Sequence, residues 1–257
     1  AMVIFTFGAW IKIWPFALAI SVFITQKRKQ VAALAATAVV AAVFLFAVAA
    51  GANSSLFSFV FKQGGRGIQV ESPVAMIWIW AAKLGLPDTG IYYDREIITN
   101  QVYGPLVDVF AQLMTPIMFV ALAITFWLGY RALSAGTNRL QVFSVMSFTS
   151  VLDLIVFNKV GSPQFMCWLV VPLIAWVCFG LSTPKWLLAA FGAVALLTCL
   201  VYPVFYLDLM ALGYLSVSLL TVRNLALVLL LVWANRELIA LGKGRSLEIE
   251  PKSSIAL

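Results

Sequence analysis

The stretch NKVGSPQ at 158–164 places several polar side chains between two apolar runs. Pro163 and Gln164 suit the start of a helix, and the free N–H groups of a helix start attract anions. Lys159 adds a positive charge and Ser162 adds a hydroxyl, so the expected chemistry is the binding of a phosphate or a sugar. A tight turn between two helices explains the glycine, serine and proline without any ligand, and this alternative stays open.

A second polar stretch is RGIQVES at 66–72. Arg66 has a planar guanidinium that suits a phosphate or a carboxylate. Gln69 and Glu71 are candidates for binding a sugar or an acceptor molecule through its hydroxyls. In the structural alternative, Glu71 pairs with Arg66 or caps the following helix together with Ser72.

Charged residues also occur within the apolar runs, where an unpaired charge is expensive and points to function. Asp153, in LDLIVFNK, is a candidate for binding the sugar or the acceptor. Arg223, in VRNL, is a candidate contact for a phosphate, and Lys12 is a further charge within a run. A structural alternative is that Asp153 pairs with Lys159 or Arg223 and so holds helices together.

The composition excludes several other functions. The chain has no histidine, so imidazole catalysis and histidine metal sites are absent. Its three cysteines lie in apolar runs and are expected to be small buried residues. Asp94 and Glu96 offer two carboxylates without a third ligand, so we expect neither a metal nor another cofactor. The net charge of +7 forms no basic patch with interleaved aromatics, so no nucleic-acid partner is expected.

The apolar content determines the fold class. Of the 257 residues, 63% are hydrophobic and 11% are charged, whereas a soluble domain has about 25% charged residues. A helix spans the lipid with about 20 mainly apolar residues, and backbone groups in lipid must be paired within the segment. The sequence therefore predicts an all-α polytopic membrane protein, with one transmembrane domain over 1–257. Seven stretches suit a span: 2–24, 32–52, 105–130, 140–157, 164–181, 186–206 and 214–235.

The long connection 53–104 is expected to contain interfacial helices at Ser54–Lys62 and Pro73–Leu84. Trp78 and Trp80 favour the level of the lipid headgroups. The second helix is therefore either a membrane-skimming anchor or a lid for an amphipathic substrate that enters from the lipid.

The distribution of cations predicts the orientation, because cytoplasmic loops are enriched in lysine and arginine. If 26–30 is cytoplasmic, ten cations lie on that side and five lie on the other. The connection 53–104 and the turn 158–164 then face outward, and 236–257 is a cytoplasmic tail. An external start that opens directly into an apolar run suggests the C-terminal part of a longer protein.

The polar stretches together resemble a known family. RGIQVES at 66–72, NKVGSPQF at 158–165 followed by WLVVPL at 168–173, and RNLALVLLL at 223–231 are similar to late motifs of the polyprenol-phosphate-mannose-dependent mannosyltransferases, glycosyltransferase family 87. IKIWPFAL at 11–18 also resembles the family pattern. The similarity extends over most of the chain, and the order of the motifs makes it more specific than any single string.

The resemblance implies a hexosyltransferase of the C-type superfamily in the plasma membrane. Such an enzyme moves mannose from a polyprenyl-phosphate donor to a glycolipid acceptor on the outer, periplasmic face. It also implies an essential acidic residue in the first outer loop, which we expect upstream of this chain, so the catalytic base is not among these residues. Lys159 and the Ser162–Gln164 turn, then Arg66 and Arg223, are the expected donor contacts.

Two other classes of protein stay open. In a transporter or flippase-like protein, Asp153, Lys159 and Arg223 would form a coupling or substrate path, although no internal repeat supports this alternative. The third possibility is a non-catalytic subunit of an envelope assembly.

Overall fold

The computed structural model describes residues 1–52, 66–179 and 184–244 and confirms an all-α polytopic membrane protein. Within these residues, five helical segments are long and apolar enough to cross a membrane: Lys29–Ala49, Val107–Ser134, Arg139–Val156, Lys185–Val204 and Tyr214–Leu241. The α-helices are α1 (Met2–Ile11), α2 (Pro15–Thr25), α3 (Lys29–Ala49), α4 (Met76–Lys83), α5 (Val107–Ser134), α6 (Arg139–Val156), α7 (Val170–Cys178), α8 (Lys185–Cys199), α9 (Tyr206–Met210) and α10 (Tyr214–Leu241).

Two of the seven predicted spans are divided. In the first, α1 ends before Lys12, whose backbone is extended, and α2 begins at Pro15. Proline suits the first position of a helix and is disfavoured in the interior, and here a new helix begins at Pro15. Lys12 therefore lies exposed at a helix break and not within a span. In the fifth, a 3-10 helix over Pro163–Leu169 precedes the short α7, and together they are shorter than a straight span.

The packed core of the bundle surrounds α6. Almost every residue of α6 is buried, and two of its hydroxyls bond carbonyls of the same helix: Thr149 Oγ1 donates to Val145 O at 2.8 Å, and Ser150 Oγ donates to Ser147 O at 3.0 Å. A Cβ at Gly129 of α5 would overlap the side chain of Met146, so these two helices approach closely through a small residue. The cysteines were expected to be buried, but Cys167, Cys178 and Cys199 are exposed. Apolar side chains of a membrane helix also cover its outer surface, so apolar surroundings in sequence do not imply burial.

A second apolar core forms a cap at one end of the bundle. Its buried residues come from 68–79, from Thr99–Tyr103, from α9 and from the ends of the long helical segments: Ile68, Val70, Ala75, Trp78, Ile79, Val102, Val107, Ala111, Val201, Leu209, Val217 and Leu220. Both α5 and α10 have 28 residues, and about 42 Å of helix exceeds the roughly 30 Å of hydrocarbon. The first turns of these helices thus extend into the cap.

Within the described residues, the connection before α5 contains the second of its two predicted helices. The helix expected at 73–84 exists, as a 3-10 turn over Pro73–Ala75 followed by α4. Its tryptophans, however, pack into the cap: Trp78 is 3% exposed and donates to Pro105 O at 3.0 Å, while Trp80 donates to Thr221 Oγ1 at 3.0 Å. Both rings are thus held by the cap, and their position at the headgroup level stays a prediction. The helix expected at Ser54–Lys62 lies outside the described residues.

An antiparallel hairpin follows α4 and was not predicted. Strands β1 (Gly90–Asp94) and β2 (Thr99–Tyr103) pair in register from Gly90↔Tyr103 to Asp94↔Thr99. Asp94 stabilises the turn between them, because its Oδ1 accepts from the main-chain N–H of Glu96 at 2.9 Å. The carboxylate considered for a metal is thus occupied by the hairpin.

The opposite end of the bundle is held by hydrogen bonds between helix termini. Arg139 Nη1 donates to Thr25 O at 2.8 Å, and Thr137 Oγ1 donates to Leu241 O at 2.8 Å. Arg139 begins α6, whereas the turn at 158–161 follows its other end. The cap and these termini therefore lie at opposite ends of α6.

Candidate functional site

The backbone of 68–70 is held between strand β2 and the turn that follows α6. On one side, Val102 N donates to Ile68 O at 3.0 Å and Val70 N donates to Asn100 O at 3.1 Å. On the other side, Gln69 N donates to Lys159 O at 2.9 Å. Two polar stretches that are distant in sequence are thereby fixed against each other through their main chains.

Gly161 permits this close approach. A Cβ at this position would overlap the main chain of Glu71 and Ser72. Backbone atoms cannot move aside as the end of a flexible side chain can, so only glycine allows the two stretches to meet here. The glycine that the sequence explained as part of a turn thus has a packing role.

Two cations from these stretches lie close together. Lys159 is only 6% exposed, and its pKa is lowered by burial and by the charge of Arg66. Arg66 is half-buried, and its Nε has no hydrogen-bond partner within the described part of the chain. The charge of Arg66 raises the cost of keeping Lys159 ionised, and a bound anion would lower that cost.

A narrow cleft opens beside these cations. It is so narrow that it leaves no room for a water molecule. Its lining comes from three parts of the cap: Arg66, Gly67, Gln69, Ile97, Thr99, Gln101 and Val160. The buried Oγ1 of Thr99 has no partner among the described residues, so the cleft offers a hydroxyl as well as the Arg66 guanidinium.

Arg223 is buried behind Glu71. It is 1% exposed, and its Nη1 donates to the main-chain oxygen of Glu71 at 3.0 Å and to Asn224 Oδ1 at 2.6 Å. Its Nε and Nη2 atoms, like Asn224 Nδ2, have no hydrogen-bond partner in the described chain. Arg223 thus links α10 to the segment 66–72, and its Nε and Nη2 atoms are available to donate to a ligand.

Glu71 is 2% exposed, and its carboxylate is held by two side chains. Tyr206 donates its phenol hydrogen and Gln69 donates an amide hydrogen to the carboxylate. Burial raises the pKa of Glu71 above its usual value, and a backbone hydrogen bond and the charge of Arg223 oppose this shift. Burial and the nearby Glu71 raise the pKa of Tyr206 to about 12, so this phenol is neutral.

Five of the predicted site residues therefore meet in one cluster, called the cap site below: Arg66, Gln69, Glu71, Lys159 and Arg223. Ser162 and Gln164 follow Gly161 in the chain and are not among the residues that line the cleft. Ser162 makes no capping bond through its side chain, and Gln164 is exposed. The helix that starts beside them is a 3-10 helix and not the expected α-helix, so its N–H groups are not arranged as an α-helical start.

Asp153 is not brought into the cap site. Its Oδ2 accepts from Thr125 Oγ1 of α5 at 2.7 Å, and both residues are buried in the bundle. The side chain bonds a neighbouring helix below the turn, so a bond between α5 and α6 replaces the alternative pairing with Lys159 or Arg223, while the sugar contact stays a prediction. This bond is the helix-holding role that the sequence offered as an alternative, with a different partner.

Two residues of the site were missed by the sequence analysis. Asn100 Nδ2 donates to the phenol oxygen of Tyr206 at 3.0 Å, and Tyr206 in turn bonds Glu71. Asn100 belongs to the unpredicted hairpin, and Tyr206 follows an apolar run without any polar motif around it. Only the hairpin register and the packing of α9 in the cap bring them together.

Comparisons with known proteins give no relative from which the roles of these residues could be transferred. No family model matches the chain, and neither a curated protein nor a solved structure matches it.

Proposed function

We propose that this protein is a membrane glycosyltransferase that moves mannose from a polyprenyl-phosphate donor to a glycolipid acceptor. The observation that carries the proposal is the meeting of Arg66 and Lys159, from separate stretches, beside one cleft at the end of a membrane bundle. Such a position suits a phosphate that is attached to a lipid, because the lipid chain stays in the membrane while the headgroup lies at its surface.

The chemistry of transfer requires positive charge at this point. When the bond between the sugar and the phosphate breaks, negative charge develops on the leaving phosphate. Cations that are already positioned stabilise this charge without reorganisation. Lys159 and Arg66 are assigned to that role, with Ser162 and Gln164 at the edge of the same turn as further contacts to the donor.

The remaining residues of the cap site suit the sugar or the acceptor. Glu71 and Gln69 offer hydrogen-bonding groups next to the cations, and Arg223 holds the main chain of Glu71 in place. None of them is assigned as the catalytic base. No metal or other cofactor is needed by this scheme.

The orientation that fits the proposal places the cap on the outer face of the plasma membrane. It rests on the excess of cations expected at the other end of the bundle. Single cysteines at Arg95 and at Lys27, both exposed, test it in a chain whose three native cysteines are replaced. Labelling of Arg95→Cys alone from outside intact cells is expected; labelling of both positions contradicts the orientation.

The central experiment measures mannosyl transfer by Lys159→Ala and Arg66→Ala. Labelled polyprenyl-phosphate mannose and a panel of glycolipid acceptors are added to membranes that contain the full-length protein. Each variant is expected to lose about 2–4 kcal/mol of barrier stabilisation, roughly 30- to 1,000-fold in rate, at near-normal abundance. Lys159→Arg should recover part of the rate, since charge survives in a different shape.

Arg95→Ala is the matched control, because Arg95 is an exposed cation of the same cap. It should leave transfer unchanged. Wild-type transfer by well-folded Lys159→Ala would overturn the assignment of the phosphate contact, and absence of transfer by the wild type would overturn the enzyme.

The transporter alternative requires one continuous path through Asp153, Lys159 and Arg223. The bonding of Asp153 to Thr125 does not favour it, because this carboxylate is occupied within the bundle. Movement of a labelled polyprenyl-phosphate sugar across vesicles, without transfer to an acceptor, would favour the transporter over the enzyme.

A further inference from the structure

A chain of hydrogen bonds with a fixed direction ends on Glu71. It begins at Asn100 of β2, passes through Tyr206 of α9 and reaches the carboxylate within 66–72. Three separate parts of the cap thus contribute to the placing of one side chain. Such an arrangement needs a reason, since a buried carboxylate costs stability.

The direction follows from the number of hydrogens. A phenol carries one hydrogen, whereas an amide nitrogen only donates. Asn100 Nδ2 gives a hydrogen to the phenol oxygen, so the phenol of Tyr206 uses its own hydrogen for Glu71. The raised pKa of Tyr206 keeps that hydrogen in place over the physiological range.

Part of the hydrogen-bonding capacity at Glu71 is left over. Its Oε2 has no partner among the described residues although the side chain is 98% buried, as its 2% exposure shows. The Nε and Nη2 atoms of Arg223 and the Nδ2 atom of Asn224, which belong to the same group, are unpartnered donors. An unused acceptor beside unused donors matches a hydroxyl, which donates one hydrogen bond and accepts others.

Gln69 connects this group with the cleft. It lines the cleft, and its amide donates to the Glu71 carboxylate. Gln69 is only half-buried, so its amide can be displaced towards solvent. A hydroxyl that reaches the carboxylate by displacing the side chain of Gln69 would replace the amide as a donor to Glu71.

We propose that Glu71, positioned by Tyr206 and Asn100, binds one particular hydroxyl of the hexose carried by the donor. Tyr206 and Asn100 are positioning residues, since they act through the carboxylate. The inference rests on the proposed function and deepens it, because it makes the cap site selective for a hexose that bears this hydroxyl.

The experiment compares polyprenyl-phosphate mannose with its monodeoxy analogues, each of which lacks a single hydroxyl. Apparent affinities for the full chain in nanodiscs are taken from the rise in unfolding temperature with ligand concentration. The wild type should bind one analogue about 10- to 100-fold more weakly than the parent, because a buried charged acceptor then stays unpaired. The other analogues should bind like the parent.

Tyr206→Phe should bring the ratio of the affinities for the parent compound and the selected analogue close to one. The main change should be weaker binding of the parent compound, because the carboxylate of Glu71 is no longer held in place. Glu71→Gln preserves the volume of the side chain and provides a second variant with the same expectation. Tyr93→Phe is the control, since Tyr93 is exposed in the same hairpin, and it should keep the full selectivity. A purely structural role of Tyr206 would lower the unfolding temperature without changing the ratio between analogues.

Equal affinity of the wild type for all analogues would overturn the inference and indicate that bound water completes the site. Full selectivity in a folded Tyr206→Phe protein would overturn the role of Tyr206. Mannosyl transfer is measured separately: transfer without selectivity keeps the enzyme and rejects the subsite. Selective binding without transfer keeps the subsite and rejects the enzyme.

Discussion

The cap site and the pair formed by Asp153 and Thr125 are both polar and buried. They differ in whether their polar atoms have hydrogen-bond partners among the described residues. In the bundle, one threonine hydroxyl meets one aspartate oxygen across two neighbouring helices. In the cap, Glu71 and Arg223 belong to a larger cluster in which donors and an acceptor lack partners among the described residues. The pair is enclosed by the bundle, whereas the cluster adjoins a cleft.

This difference separates a structural role from a functional one. A charge inside an apolar run invites a functional interpretation in a sequence, and Asp153 has that property as much as Arg223 has. The hydrogen-bond partners of the charged residue distinguish the two roles. A hydrogen bond between two helices stabilises the fold, whereas polar groups without partners beside a cleft are available for a ligand. We expect substitutions at the two sites to be distinguishable by whether they change stability or transfer.

The largest effect is expected at Gly161, where the cap site depends on backbone contact. In Gly161→Ala the new Cβ would overlap the main chain of Glu71 and Ser72 and force 158–161 away from 66–72. A loss of about 3 kcal/mol or more in stability is expected, the upper end of overpacking, together with loss of transfer. The unfolding temperature in detergent and the transfer rate measure the two effects.

The control is Gly192→Ala in α8, where a Cβ would meet open space. That change should slightly stabilise the helix, because alanine has the higher helix propensity. If Gly161→Ala folds and transfers mannose like the wild type, the stretches 66–72 and 158–161 are not held together by close backbone contact. The cap site would then not depend on that contact.

An intermediate effect is expected at Asp153 and Thr125, and it concerns stability alone. Thr125→Val leaves a buried carboxylate without its donor, and Asp153→Ala removes the acceptor; each should cost about 1–3 kcal/mol. The double variant should reveal a coupling of about 0.5–2 kcal/mol in unfolding free energy. Transfer per folded molecule should stay near the wild-type value.

Asp108→Asn, at an exposed aspartate in the first turn of α5, is the matched control and should change little. Asp153→Asn should also fail to rescue Lys159→Ala, because Lys159 is not the donor that satisfies Asp153. A rescue would instead support the pairing that the sequence alone left open. A selective loss of transfer in Thr125→Val would assign function to the bundle pair as well.

The sequence predicted the convergence of the cap site better than its internal bonding. The stretches 66–72 and 158–164 and the first half of α10 each lie near an end of an apolar run, and alternation of the spans places those ends on one side. Topology therefore sufficed to bring Arg66, Lys159 and Arg223 to the same end. The cation types also indicated an anion, without any knowledge of distances.

The hydrogen bonds within the cap site and the bundle could not be predicted, because they join residues that no local sequence pattern connects. Asn100 reaches Tyr206 only because the hairpin pairs in one register and α9 packs beside it. Thr125 resembles many other threonines in apolar helices, so the partner of Asp153 could not be chosen from the sequence. The helix break before Pro15 had a visible signal, but apolar length alone does not show where a long run is interrupted.

The smallest effect is a dependence of stability on pH that originates in the cap site. Burial raises the pKa of Glu71 in the native protein above its ordinary value near 4.5, which the unfolded chain keeps. Between these two pKa values the native state binds more protons than the unfolded state, so stability falls as the pH rises. The favourable contribution of protonated Glu71 is thus complete below about pH 4.5 and is lost as the pH rises through the native pKa. Unfolding temperatures of the wild type should therefore decline relative to Glu71→Gln over this interval, whereas Glu96→Gln, at an exposed glutamate of the hairpin turn, should follow the wild type. Parallel curves for the wild type and Glu71→Gln would mean that Glu71 titrates like a solvated carboxylate. Its hydrogen bonds would then offset the cost of burial, and the contrast with the pair of Asp153 and Thr125 would disappear.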